Sequence, residues 1–173
     1  LVALAGAAGV SFGIAAASLA RTRAWPWSIA GGALGGMLVG GGVKLLGLDA
    51  FNLLLGRSPG DITGAAEGLS LGAAIGLAAW LARHASLRRA AAQAALIGGA
   101  AGTAVVLLGG RLMAGSLDLL ANQFPGSRLN LGEVGALLGE DGFGWASQLV
   151  TGGLEGALFA ACIVGAMTLA RRS

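Results

Sequence analysis

Two apolar segments of equal length and matching pattern constrain the fold of this chain more than any other feature. The first covers 63–83, TGAAEGLSLGAAIGLAAWLAR, and the second covers 151–171, TGGLEGALFAACIVGAMTLAR. In both, Thr, Gly, Glu, Gly and a closing Arg stand at the same offsets, with Glu and Arg 16 residues apart. Each segment is long and apolar enough to cross a bilayer as a helix. The sequence therefore predicts an integral membrane protein with an internal repeat.

Composition supports a membrane location. Only 11% of the 173 residues are charged, whereas a soluble domain carries about 25%. A surface this poor in charge is expected to be covered mostly by lipid. The chain also has 33 glycines. Glycine weakens a soluble helix, but in lipid small residues allow helix backbones to approach closely.

Hydropathy and turn residues divide the chain into five expected membrane helices. We expect these helices at 1–20, 28–47, 62–83, 90–110 and about 147–170. The expected fold class is an all-α integral membrane protein, a bundle of about five transmembrane helices built from tandem two-helix repeats with Gly-xxx-Gly packing. The expected domains are a first helix with a basic turn over 1–27, repeat unit A over 28–89 and repeat unit B over 90–173.

Each unit is expected to hold a short, non-spanning segment between its two helices. In unit A this is an interfacial segment over 48–61, which is too short to cross and ends at Pro59-Gly60. Unit B has the same Leu-Asp pair and a matching Pro125-Gly126, followed by an outer-face insert over 127–146. Within the insert we expect a short helix that ends at Gly139.

Glycine recurs at every fourth residue, which places it on one ridge of each helix. The first helix follows the same spacing, and aligning it on its closing Arg21 makes it a third, degenerate copy with Ala5 in place of the glutamate. The ridges predict backbone contact between helices. The predicted packing residues are Gly32, Gly36, Gly40, Gly64, Gly68, Gly72, Gly76, Gly98, Gly102, Gly152 and Gly156.

Basic residues close three of the apolar segments. The clusters are Arg21 with Arg23, the run from Arg83 to Arg89, and Arg171 with Arg172. If the helices alternate in direction, all three clusters lie on one side, which the positive-inside rule assigns to the cytoplasm. We therefore expect an integral protein of the bacterial inner membrane, with the C-terminus cytoplasmic and the longer connections outside.

The candidate ion, proton or interhelical polar site consists of Glu67, Glu155, Lys44 and Arg111. A carboxylate at mid-depth in lipid costs about 2.5–3.5 kcal/mol and is by default a functional hypothesis. However, each glutamate lies about 24 Å from its closing Arg, close to the outer edge of the membrane core. There a glutamate in the first helical turn could instead act as a structural cap. Both interpretations remain open.

The two basic side chains have two interpretations as well. Lys44 and Arg111 could extend to the interface, as long charged side chains do at helix ends. Alternatively, Lys44 pairs with Glu67 and Arg111 pairs with Glu155. The pattern of the two units assigns Arg111 to the position that Lys44 has in unit A.

The remaining polar residues predict no catalytic chemistry. Asp49 and Asp118 are expected to cap helices or face water, and the acidic residues of 133–141 are expected to form a solvated loop. Since no second His or Cys stands at ligand spacing from His84 or Cys162, no metal site is predicted. No phosphate-binding, dinucleotide or hydrolase motif is present, so no cofactor is predicted.

The expected function is that of a non-enzymatic membrane domain or subunit, which anchors, scaffolds or oligomerises within a larger membrane assembly through its glycine ridges. The alternative is a channel, pore or transporter that uses Glu67 and Glu155 with Lys44 and Arg111. A lipid- or quinone-handling enzyme is a third hypothesis, without a catalytic constellation. The expected partners are membrane lipids and other subunits or further copies. Nucleic acid is not expected, because short basic pairs suit anionic lipid headgroups better.

Overall fold

The computed structural model describes residues 2–19, 25–56, 62–124 and 130–172. Within these ranges the regular structure is helical, and no strand occurs. The predicted features at Arg21, Arg23, Pro59-Gly60 and Pro125-Gly126 lie outside the described residues. The helices are α1 Val2–Ala17, α2 Trp25–Leu55, α3 Ala65–Leu81, α4 Leu87–Leu107, α5 Met113–Gln123, α6 Gly132–Leu137 and α7 Trp145–Ala170, with a 3₁₀ turn Ala82–His84 after α3.

The described residues confirm the predicted all-helical fold, and four of the helices are long and apolar enough to cross a membrane. They are α2, α3 with its 3₁₀ turn, α4 and α7. The remaining apolar helix, α1, has 16 residues, or about 24 Å at 1.5 Å per residue. This is shorter than the hydrocarbon core of about 30 Å. Four of the five expected helices therefore reach spanning length.

Helices α2 and α3 pack antiparallel with their backbones in contact. A methyl group built on Gly36 would meet the carbonyl oxygen of Gly68, and one built on Gly68 would meet the carbonyl oxygen of Gly36. Gly32 and Gly72 show the same reciprocal contact. Toward the ends of the two helices, Gly40 meets Gly64 and Gly76 meets Ser28. The Ser28 hydroxyl also donates a 2.8 Å hydrogen bond to the Gly76 carbonyl.

Helices α4 and α7 pack antiparallel in a similar way over a shorter length. Gly98 and Gly156 lie against each other's carbonyl oxygens, and Gly102 lies against Gly152. Ala160 then stands next to Gly98, so the contact continues with a small side chain. The two helices are held together mainly by small residues, as is typical where lipid provides no hydrophobic drive for association.

Helix α2 has a second glycine row, which contacts α1. Gly31 meets Gly13 and Gly35 meets Gly9, again backbone against backbone and antiparallel. The apolar core lies elsewhere, because its buried side chains come from α1, α3, the 3₁₀ turn, α4 and α7. Helix α2 contributes only glycines to the buried set. It is therefore attached to the bundle by its two glycine rows.

The outer surface of the bundle is apolar, as lipid contact requires. Leu38 of α2, Leu96 of α4 and Leu158 of α7 are 70%, 75% and 65% exposed. Such side chains would be unfavourable in water, where burial of a Leu is worth about 1.5–3 kcal/mol. Hydrocarbon contact removes that cost over the spanning part of each helix.

The predicted break between helix 28–47 and an interfacial segment is wrong. Helix α2 is continuous to Leu55, because Gly47 stays helical and no proline intervenes. It ends at Gly56, whose φ of +64° suits only glycine at low cost. In unit B the expected separation does occur, since Gly109 takes φ +83° after α4 and α5 begins at Met113.

The two predicted repeat units differ here because their chain lengths differ. Gly40 and Leu48 are eight residues apart, whereas Gly102 and Leu117, their counterparts, are 15 apart. The additional residues in unit B leave room for a turn, and the segment after the turn forms the separate helix α5. The end of α2 still contacts the end of α5, because the rings of Phe51 and Phe124 stack with centroids 5.9 Å apart.

The basic residues that follow α3 and α7, and those at the start of α4, lie at the opposite end of the bundle from these connections. Arg172, after α7, donates a 3.2 Å hydrogen bond to the carbonyl of Ala85, which lies between the 3₁₀ turn and α4. The Arg83 guanidinium lies 4.2 Å from the Trp80 ring centroid. The closing arginines of α3 and α7 are therefore at the same end of the molecule.

The glycine contacts predict a sharp difference between two substitutions in α2. Gly36→Ala places a methyl group against the Gly68 backbone, which cannot rotate away, so we expect a loss of about 1–3 kcal/mol in unfolding free energy. Gly42→Ala is the matched control, because no atom lies within 4 Å of its Cβ position. It should leave stability unchanged or raise it, since Ala favours a helix over Gly. Denaturant titration in detergent measures both, and equal effects would contradict the described packing.

Candidate functional site

The candidate site lies at the end of the bundle where α3 and α7 begin. The α2 and α4 helices approach this end with their C-terminal halves, and α5 starts there. The four predicted site residues, Lys44, Glu67, Arg111 and Glu155, are all partly buried and all lie in this region. We refer to it below as the polar end.

Glu67 caps the helix in which it lies. Its carboxylate accepts a 2.8 Å hydrogen bond from the backbone N–H of Gly64, the residue that precedes α3. Glycine has no side chain to offer, so the carboxylate satisfies one of the amide groups that a helix start leaves without a partner. The negative charge also stabilises the positive end of the helix dipole.

Lys44 of α2 reaches the same corner as Glu67. Its Nζ lies 3.6 Å, and the Glu67 Oε2 lies 3.7 Å, from the position that a Cβ atom would take on Gly64. The other carboxylate oxygen of Glu67 faces the turn after α4, 3.2 Å from the Cβ position of Gly110. Glu67 therefore stands between both units, and its ion pair with Lys44 remains a prediction.

Glu155 caps a different helix from its own. Its two carboxylate oxygens each accept a 2.7 Å hydrogen bond, one from the N–H of Met113 and one from the N–H of Ala114. These are the first two residues of α5, and the preceding Leu112 provides no side-chain cap. Hydrogen bonds to an ionised carboxylate are stronger than neutral ones. Glu155 therefore holds the start of α5 against α7.

The predicted correspondence between Arg111 and Lys44 is wrong. A methyl group on Gly64 would meet Lys44, and one on the equivalent Gly152 would meet Val106. The counterpart of Lys44 is thus an apolar residue, and Arg111 lies beyond the end of α4. The alignment failed because the additional residues of unit B begin shortly after Val106.

Arg111 and Glu155 line one small recess at the polar end. Its other lining residues include Val106, Gln148 and Thr151. The charge of Arg111 also acts on Asp118. Burial raises the pKa of the Asp118 carboxyl above its usual value, and the Arg111 charge and a hydrogen bond from Asn122 only partly offset this rise. Arg111 is therefore placed to interact with two carboxylates, those of Asp118 and Glu155. Its pairing with Glu155 remains a prediction.

A small network joins the two predicted units at this end. The Thr63 hydroxyl donates a 2.8 Å hydrogen bond to the Arg111 carbonyl and lies 2.9 Å from the Ser116 hydroxyl, which also accepts the Thr63 N–H at 3.0 Å. Thr151, the counterpart of Thr63, instead bonds to Ser147 in its own helix. Sequence reasoning found both threonines but could not assign Thr63 to a partner 53 residues away.

Glu140 is a third capping carboxylate, and the expectation of a solvated acidic loop missed it. Its oxygens accept 2.9 Å hydrogen bonds from the N–H groups of Ala146 and Ser147 and a 2.6 Å bond from the Ser147 hydroxyl. The Ser147 hydroxyl, the Ser147 N–H and the Ala146 N–H lower the pKa of the Glu140 carboxyl, in that order. The signal in the sequence was an acidic residue shortly before a long apolar helix.

Three helix starts at the polar end are therefore capped in the same way, by a glutamate carboxylate. The carboxylates of Glu67, Glu155 and Glu140 bind backbone N–H groups at the starts of α3, α5 and α7. Among the described residues, no buried side-chain nitrogen or oxygen lacks a hydrogen-bond partner. Nor does any group of three or more His, Cys, Asp or Glu side chains in these ranges form a candidate metal site.

The Glu155 cap predicts a local effect of substitution. Glu155→Gln removes the charge and one of the two acceptor oxygens, so the amides of Met113 and Ala114 should lose protection from hydrogen exchange. We expect a stability loss of about 1.5–3 kcal/mol, typical of hydrogen bonds to charged groups. Glu133→Gln is the matched control, because Glu133 is exposed in α6. Unchanged protection at both α5 amides would contradict the cap.

The lowered pKa of Glu140 predicts a pH dependence with a definite sign. Because the folded-state pKa is below the unfolded value, the cap stabilises α7 fully above the usual glutamate pKa of about 4.3. This contribution is lost as pH falls through the lower, folded-state pKa. The amide NMR shifts of Ala146 and Ser147 should titrate with a midpoint below about 4.3.

Ser147→Ala tests the cause of that shift. Since the Ser147 hydroxyl is the largest contribution, its removal should move the midpoint upward, toward the usual glutamate value. A wild-type midpoint at or above the usual value, or no movement in the variant, would show that Glu140 does not cap α7 in solution.

Comparison with known proteins gives no independent indication of what the polar end does. No known protein family, curated protein or solved structure matches this chain.

Proposed function

We propose that this chain is a non-enzymatic membrane domain that scaffolds or oligomerises within a larger membrane assembly. One observation carries the proposal. The two carboxylates within the spanning helices, Glu67 and Glu155, are bound to backbone N–H groups at helix starts. A carboxylate that is needed to hold a helix start is poorly placed to exchange ions or protons, because its release would leave amide groups unsatisfied in a region of low polarity.

The proposed architecture is a tandem of two-helix repeats with Gly-xxx-Gly packing. In support, α2 with α3 and α4 with α7 make antiparallel glycine contacts, and the Gly36–Gly68 contact corresponds to the Gly98–Gly156 contact. We further propose that α1 is a fifth membrane helix and the remnant of a third copy. It contacts α2 through Gly9 and Gly13 much as α3 does on the other face.

We propose that the end of the bundle opposite the polar end faces the cytoplasm of a bacterial inner membrane and that the polar end faces outward. The support is the distribution of charge, since Arg83, Arg88, Arg89 and Arg171 lie at one end of the helices. Cytoplasmic flanks of membrane helices carry an excess of Lys and Arg. The C-terminus would then be cytoplasmic, beside the turn that contains Ala85.

The proposed partners are further copies of the chain or other membrane subunits, together with lipids. The contact surfaces would be the exposed apolar helix faces and the connections at the polar end. In support, Leu53 and Leu54 near the end of α2 are 86% and 81% exposed. They lie more than two turns beyond Lys44, where a helix of this length passes the expected membrane edge.

The alternative, a channel, pore or transporter, has one observation in its favour. Glu155, Arg111, Gln148 and Thr151 line a recess at the polar end, and such polar groups could form the mouth of a pathway. The recess is small, and Glu155 is bound on both oxygens. The scaffold proposal therefore fits the geometry better.

Ion flux and native mass together test the proposal. Liposomes that contain the wild type should show the same flux as empty liposomes, and the Glu67→Gln/Glu155→Gln variant should not differ. Native mass in detergent should exceed the 16.8 kDa of one chain by whole copies or by a co-purified subunit. A flux that the folded double variant loses would overturn the proposal in favour of transport, and a monomer without flux would exclude a stable assembly.

A further inference from the structure

The charged side chains of the described residues are divided between the two ends of the bundle. All seven described carboxylates lie toward the polar end or in the connections beside it. Within the described ranges, the opposite end carries only basic groups. Its charged and titratable side chains are Arg83, His84, Arg88, Arg89, Arg171 and Arg172. We call these six residues the arginine patch.

The patch is assembled from two segments that are distant in sequence. Arg172 donates a 3.2 Å hydrogen bond to the Ala85 carbonyl, which fixes the end of α7 beside the turn before α4. Arg83 is held by its own helix, because its Nη1 donates to the Trp80 carbonyl at 3.1 Å and its guanidinium lies over the Trp80 ring. Arg88 and Arg89 follow at the start of α4 and are exposed.

The patch is electrostatically unfavourable without an anion. Like charges repel, and no carboxylate among the described residues of this end offsets them. Arg88 and Arg89 add a second penalty, because they lie in the first turn of α4, where the helix dipole disfavours positive charge. A bound anion would relieve both effects at once.

The surroundings of the patch favour an anion that also carries acyl chains. Trp80 lies at the level of Arg83, and Trp side chains prefer the headgroup zone of a membrane. Leu81 and Leu169, which adjoin the arginines, are 47% and 54% exposed. Phosphate on the arginines with hydrocarbon on these leucines matches the chemistry of an anionic phospholipid.

We propose that the arginine patch is a binding site that retains an anionic phospholipid between the turn before α4 and the end of α7. The guanidinium groups of Arg88, Arg89 and Arg172 bind the headgroup phosphate, and Arg83 on Trp80 borders the site. This assignment goes beyond a general bias of basic residues toward one membrane face, because it requires a retained lipid at one place. It does not depend on whether the protein scaffolds or transports.

Lipid retention in mixed bilayers tests the site. The protein is reconstituted in equal parts of phosphatidylcholine and phosphatidylglycerol, extracted, and analysed by native mass spectrometry for the lipids that remain bound. Wild type should retain phosphatidylglycerol in preference to phosphatidylcholine. Arg88→Gln/Arg89→Gln should lower that preference by about fivefold for each arginine removed, as expected for basic groups near an anionic surface. Both side chains are exposed, so the variant is expected to fold.

A matched control and a second ligand source complete the test. Arg88→Lys/Arg89→Lys keeps the positive charge at the same exposed positions and should leave the preference nearly unchanged. In pure phosphatidylcholine with excess inorganic phosphate, no phosphate should remain bound. The proposal is overturned if wild type shows no preference, if the control lowers the preference as much as the patch variant, or if free phosphate binds in place of lipid.

Discussion

Direct contact between helix backbones at glycine is the interaction on which the rest of this structure depends. Lipid tails are as apolar as a protein core, so moving Leu or Val from lipid into a helix interface gives little drive for helices to associate. Close approach of backbones provides packing contacts that larger side chains would prevent. Helix α2 shows the effect most clearly, because glycines are the residues it buries, with Gly36 on α3 and Gly35 on α1.

A second constraint follows from the same environment. Backbone N–H groups at helix starts have no partner within the helix, and the membrane provides little water to replace one. The chain solves this with glutamate at three places, and the equivalent residues Glu67 and Glu155 act on different helices, α3 and α5. The difference arises because α2 continues unbroken to Leu55, whereas in the predicted unit B the separate helix α5 needs a cap. Sequence similarity therefore does not imply the same role for the two carboxylates.

Much of the fold could be predicted from the sequence, for physical reasons. Glycine at every fourth residue predicted that Gly36, Gly68, Gly98 and Gly156 lie on helix faces that pack together. In the structure Gly36 contacts Gly68, and Gly98 contacts Gly156. Hydropathy located three of the four candidate spanning helices, α3, α4 and α7, within a few residues, but placed the end of α2 eight residues too early. Both signals are periodic and local, which is the kind of information that a single sequence carries well.

The features that were missed depend on distant partners or on small changes of length. Gly47 and Gly109 have similar local sequence, yet of these two only Gly109 follows the end of a helix. Because the sequence does not show this difference, the prediction placed the start of the interfacial segment wrongly and assigned the wrong counterpart to Lys44. The Thr63 network and the Glu140 cap required knowledge of which segments meet. For the candidate site, the sequence identified Glu67 and Glu155, but their hydrogen-bond partners became visible only in the structure.

The separation of α2 and α3 at Gly36 and Gly68 tests this account most directly. Carbon–carbon dipolar recoupling in lipid bilayers, with isotope labels at these two glycines, measures it without any substitution. Backbone contact predicts a direct cross-peak between Gly36 and Gly68 carbons. Absence of that cross-peak, with the helix axes about 8–10 Å apart as in side-chain-mediated packing, would contradict the account.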